Sequence, residues 1–200
     1  MIELPTGLPA DLVPLSWLIG VWEGTGVIDY PTEDHRYSGE FTQRVSFSHD
    51  GGDFLNYSAD AWIGAGDDRT RLVGELGYWR LARPLQGADA GPGLLPPRAA
   101  AAARTAADVE TLRNSENGFD IEAAVVHSDG TSELYLGQIR GPRIDLSTDA
   151  VVRPAGAKDY TAATRMYGLV DGHLLWAWDI AALGHDLASH ASARLAKVSG

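Results

Sequence analysis

Six histidines supply the candidate metal ligands and general bases of the chain: His35, His49, His127, His173, His185 and His190. His35, His49, His127 and His173 stand near turn-forming residues, where a solvated or hydrogen-bonded imidazole is the ordinary role. His185 and His190 are five positions apart. An odd separation puts strand side chains on opposite faces, and on a helix five residues overshoot a full turn by about 140°. They are therefore a poor chelating pair. His190 differs, because Ala188 and Ser192 flank it at i±2 in a strand-like segment. Small neighbours leave space above that face, and a neutral imidazole in such a space can hold an iron through one nitrogen. The residues alone still favour the commoner role, a packed and hydrogen-bonded strand histidine.

Other chemistries find less support. There are no cysteines, which excludes disulfides, thiolate metal sites, iron–sulfur clusters and cysteine nucleophiles. No Gly-x-Ser-x-Gly elbow or Walker-type phosphate loop occurs, and Gly24-Thr25-Gly26 lacks the third glycine of a dinucleotide fingerprint. The carboxylates are scattered, and no pair stands out as an acid/base couple. Trp176 and Trp178 fall on one strand face and read as core before cofactor wall. Trp22, with Gly20, Gly24 and Gly26 around it, reads as a barrel-closing motif, with glycine where backbones pass closely.

The elements that would position these residues are short and of period two. Phe41, Gln43, Val45 and Phe47 alternate with Thr42, Arg44 and Ser46. Strands are expected over Phe54–Trp62, Leu72–Leu81, Ile121–Val126, Glu133–Ile139, Arg143–Leu146, Ala162–Leu169, His173–Ile180 and Leu187–Val198. Asp50-Gly51-Gly52, Asp129-Gly130 and Asp171-Gly172 mark turns between them. Leu8 to Leu15 has room for one or two helical turns. Many short strands without a long amphipathic helix predict an all-β antiparallel barrel or sandwich. The stretch from Pro84 to about Asp108 does not fit, because its prolines and glycines exclude a central strand. It reads as a surface insertion, with a flap over a barrel mouth as the sharper alternative and a short helix over Ala99–Ala107 expected from alanine propensity.

The chain has 200 residues, and the expectation is one domain over 1–200 with a loop insertion at about 84–108. Sixteen Lys and Arg against 27 Asp and Glu give a net charge of −11. That balance argues against nucleic acid and against anionic membrane surfaces. The first residues lack a secretory pattern and no apolar run approaches a membrane span, so the expected location is cytoplasmic.

Gly20-Val21-Trp22-Glu23-Gly24-Thr25-Gly26 resembles the Gly-x-Trp-x-Gly-x-Gly motif of the nitrobindins. Tyr30-Pro31-Thr32, Val45–His49 with Phe54–Tyr57, Glu75–Arg80, His127–Gly137 and Leu187–Val198 are similar to family segments in the same order. The resemblance implies a ten-stranded antiparallel β-barrel, like the lipocalins and fatty-acid-binding proteins, with heme b in a wide cleft. It implies His190 as the axial iron ligand, Thr32 as a heme contact and Lys158 as a partner for a propionate. It also implies binding of nitric oxide at ferric iron and isomerisation of peroxynitrite to nitrate. The alternative is a non-enzymatic carrier of an apolar molecule such as a fatty acid. A homodimer is left open.

Overall fold

A computed structural model describes residues 7–32, 34–99 and 103–198. Eleven strands follow in order: β1 (Gly20–Pro31), β2 (Arg36–Ser48), β3 (Phe54–Ile63), β4 (Thr70–Arg71), β5 (Glu75–Leu81), β6 (Phe119–His127), β7 (Ser132–Arg140), β8 (Arg143–Val152), β9 (Tyr160–Val170), β10 (His173–Ala182) and β11 (Ala188–Lys197). Chain neighbours pair antiparallel, β11 pairs with β1, and β2 pairs with β3. Ten strands thus close into a ring, which removes exposed sheet edges. The two-residue β4 only adds to the end of β3. The expected ten-stranded barrel is the one observed.

Two short 3-10 turns, Ala10–Leu12 and Ser16–Leu18, precede β1 and plug one end. They bury Leu12, Leu15 and Leu18 completely. Trp22 enters the same plug, and its Nε1 donates to Leu18 O at 2.7 Å. Gly24 and Gly26 of the motif sit on the inner face of β1, opposite Leu195 and Ala193 of β11. A Cβ on Gly24 would collide with Arg194 O, and one on Gly26 with the Phe41 ring and Ser192 O. Glycine is needed here for close strand approach.

The insertion between β5 and β6 packs on this plugged end. Arg104 lies 3.3 Å from Asp11 of the first turn, and Arg83 pairs with Asp53 at 2.9 Å and Asp89 at 2.5 Å. The barrel mouth is at the other end, so the insertion is not a flap over it. Its helix α1 spans Ala106–Glu110, not Ala99–Ala107. Thr105 and Asp108 form a reciprocal capping box that starts the helix at Ala106; residues 100–102 lie outside the described part.

Hydropathy alternation inverts on one wall. Leu76, Tyr78, Val126, Leu134 and Leu136 face outward, whereas Glu75 and Glu133 are buried.

Candidate functional site

Above the plugged half, the barrel holds a hollow of about 410 Å³. Ile28, Phe41, Val45, Ala59, Ala61, Trp176 and Trp178 give it apolar walls. The loops after β3, β6, β8 and β10 form its mouth, with Val73, Asp129, Lys158 and Leu183 at the rim. Both tryptophans are therefore walls as well as packing groups. Trp176 Nε1 donates to Gln43 Oε1 at 2.8 Å.

His190 faces this hollow because of an irregularity in β11. Trp178 pairs with Ala191, but the next residue, Asp179, pairs with Ser189. His190 is left over as the extra residue of a β-bulge, so that His190 and Ala191 both line the hollow. Bulges re-aim side chains in this way. The expected shared face of Ala188, His190 and Ser192 does not survive: Ser192 lines a groove on the barrel's outer surface.

The His190 ring meets Tyr30 at 5.3 Å and 85°, and Trp178 at 5.2 Å and 84°, both edge to face. Its Nδ1 is buried with no hydrogen-bond partner among the described residues. Nε2 is the nitrogen turned to the hollow. Burial, with the positive charge of Arg165 second, pulls its pKa down to about 4. The imidazole is neutral at physiological pH, and its lone pair is free for a metal. Among the described residues no group of three or more His, Asp or Glu is placed to hold a metal ion. The donor set therefore fits an iron that brings its own ring of ligands and needs one nitrogen from the protein.

Lys158 is exposed at the rim beside Asp159, with no salt bridge among the described residues. Thr32 does not line the hollow. Its hydroxyl closes the β1–β2 turn by donating to His35 O at 2.7 Å, and it accepts from His35 N at 3.3 Å.

One wall carries a buried polar network that the sequence reading missed. Arg165 pairs bidentately with Glu75, at 2.7 and 2.9 Å, and lies 3.4 Å from Glu133. His127 Nε2 is 2.6 Å from Glu133, and its Nδ1 is 3.6 Å from Glu75. Tyr57 donates to Glu75 and Tyr135 to Glu133, each at 2.6 Å; Tyr160 also donates to Glu133. Burial alone would raise the Glu75 pKa, but Arg165, His127 and Tyr57 outweigh it and hold the carboxyl at about 2. His127 is hydrogen-bonded, as expected of it, but inside the barrel and not at the surface. The signal available in sequence was phase: Glu133 shares the inward phase of Tyr135, and Arg165 that of Tyr167.

A barrel plugged at one end, hollow at the other, and offering one unpaired imidazole among apolar walls is a ligand-binding barrel suited to a flat, metal-bearing guest. The chain belongs to the THAP4-like heme-binding beta-barrel family, whose model matches residues 11–197. It is 64% identical over 197 residues to a peroxynitrite isomerase of Leifsonia xyli, covering 98% of this chain and 99% of that one. It is 59% identical to a peroxynitrite isomerase of Clavibacter michiganensis, covering 99% and 100%. Among solved structures it is similar to Rv2717c from M. tuberculosis, with a TM-score of 0.66 and 25% identity over 98% of this chain and 100% of that one.

Proposed function

We infer that this protein is a heme-dependent peroxynitrite isomerase, with heme b in the hollow and His190 Nε2 as the axial ligand. The observation that carries the site is the neutral His190 ring, re-aimed by the bulge, with one nitrogen open to an apolar hollow. Full-length likeness to proteins named peroxynitrite isomerase supports the reaction. Ferric heme supplies a Lewis acid for an oxygen of peroxynitrite and a site for nitric oxide. The side chains do the rest. His190 would hold the group through its ring nitrogen. Phe41, Val45, Ala59 and Ala61 exclude water, which strengthens electrostatic interactions within the hollow. Lys158 at the rim would pair with a propionate. Thr32 keeps the β1–β2 lip in shape. Peroxynitrite and nitrate share atoms and charge, so the isomerisation needs no net proton from the protein.

The fatty-acid carrier is the weaker reading, because among the described residues the one cation deep in the hollow, Arg165, is already committed to Glu75. We place the protein's action in the cytoplasm, on small molecules. No helix among the described residues is long and apolar enough to cross a membrane, and the charge of −11 disfavours phosphate and anionic-lipid surfaces. Stopped-flow mixing of peroxynitrite with the hemin-loaded protein tests the reaction. The expected result is faster decay with an increased nitrate yield; decay at the buffer rate refutes it.

A further inference from the structure

A histidine that ligates a metal almost always donates its other ring N–H to a carboxylate, a carbonyl or water, and that bond fixes the ring plane. His190 lacks this bond. Its Nδ1 is buried and has no partner among the described residues. Two rings stand in its place, Tyr30 and Trp178, at 85° and 84° to the imidazole and with centroids 5.3 and 5.2 Å away. We propose that Tyr30 and Trp178 are the positioning residues of the axial ligand, an aromatic clamp that replaces the usual hydrogen bond and holds Nε2 on the hollow. The proposal rests on the reading of His190 as that ligand.

Each jaw of the clamp is itself fixed. The Tyr30 hydroxyl accepts from Ala182 N at 3.1 Å and lies 3.1 Å from Ile180 O and 3.2 Å from Ala182 O, at the end of β10. It therefore ties β1 to the strand that pairs with the bulge. Trp178 has the Arg165 guanidinium 4.0 Å from its ring centroid, and His127 stacks on it at 5.9 Å and 17°. Arg165 is held by Glu75, and His127 by Glu133. The buried charge network thus buttresses Trp178, and Trp178 buttresses His190. Because the bulge leaves His190 out of the residue-to-residue register, the clamp supplies the constraint that ladder pairing does not.

The clamp has an electronic consequence that plain packing lacks. An imidazole whose Nδ1–H meets no acceptor is a weaker donor than one bonded to a carboxylate. The ferrous hemin-loaded protein is expected to show an iron–histidine stretch at the low-frequency end of the histidine-ligated range. A frequency typical of a strongly hydrogen-bonded histidine would overturn the proposal, and this measurement needs no variant.

The second readout is the rate of hemin transfer to excess apomyoglobin, together with the width of the ferric electron-paramagnetic-resonance lines. Trp178→Leu and Tyr30→Leu remove one jaw each. Each should speed hemin loss about 2–10-fold, the worth of one aromatic pair, and broaden the lines by releasing the ring plane. Trp178→Phe keeps a ring and should restore narrow lines. Unchanged loss rates and line widths in both leucine variants, with wild-type circular dichroism, would overturn the clamp. A His190→Ala variant that keeps the wild-type Soret band would instead overturn the ligand assignment on which the clamp depends.

Discussion

Replacing Arg165 by methionine tests the buried network most sharply. Arg165 is 5% exposed and is the shared cation of two buried carboxylates. Methionine keeps much of the volume and removes the charge. Glu75 would then keep only Tyr57 and His127, and Glu133 would lose a cation 3.4 Å away. Breaking a buried pair from one side costs about 3–5 kcal/mol, because the remaining charge is uncompensated. In a domain of this size that is a drop in Tm of roughly 6–20 °C. The loss should depend on pH. With Arg165 present, the Glu75 pKa lies near 2, below its ordinary value; this carboxylate stabilises the fold above about pH 4.5, and the contribution fades as pH falls toward 2. In Arg165→Met the folded carboxyl rises above the unfolded value, so the folded state takes up the extra proton. The deficit should be largest at pH 7–8 and shrink as pH falls toward 5. Glu75→Gln in the same chain should recover part of the loss at neutral pH. Urea unfolding of the apo-protein, followed by tryptophan fluorescence at both pH values, checks this. A cost below about 1 kcal/mol, or a deficit that does not change with pH, would refute the reasoning.

Trp176→Ala should cost about 3 kcal/mol, the lower end for a buried tryptophan, because one side of the ring already borders the hollow; equilibrium unfolding measures it. Gly26→Ala should force the Ser192 carbonyl and the Phe41 ring away from the new methyl and so cost about 1–3 kcal/mol through the β1–β11 pairing; equilibrium unfolding measures it. Lys158→Ala should change hemin affinity less than about 5-fold, since an exposed charge at the rim contributes at most about 1 kcal/mol.

The parts of this protein set by local pattern were legible in its sequence, and those set by long-range meeting were not. Turn residues and period-two runs placed most strands, and Trp22 with its glycines marked the closed end. His190 was legible as a residue, but not in the way it reaches the hollow. Plain alternation grouped it with Ser192, and the bulge that separates them depends on how β10 and β11 pair. Glu75, Glu133 and Arg165 looked solitary because 32 positions or more separate Arg165 from each carboxylate, and only barrel closure unites them. The outward leucines of β7, Leu134 and Leu136, hid the inward phase of Glu133. Alanine propensity misplaced the short helix because the Thr105–Asp108 capping box, not composition, sets where it begins.

The account depends most on His190, and a hemin titration of the apo-protein tests it directly. The wild type should bind one equivalent with a sharp Soret band, and His190→Ala, melting at a similar temperature, should lose that band. A wild type that never develops the band, or an alanine variant that matches it in position and affinity, would contradict the account.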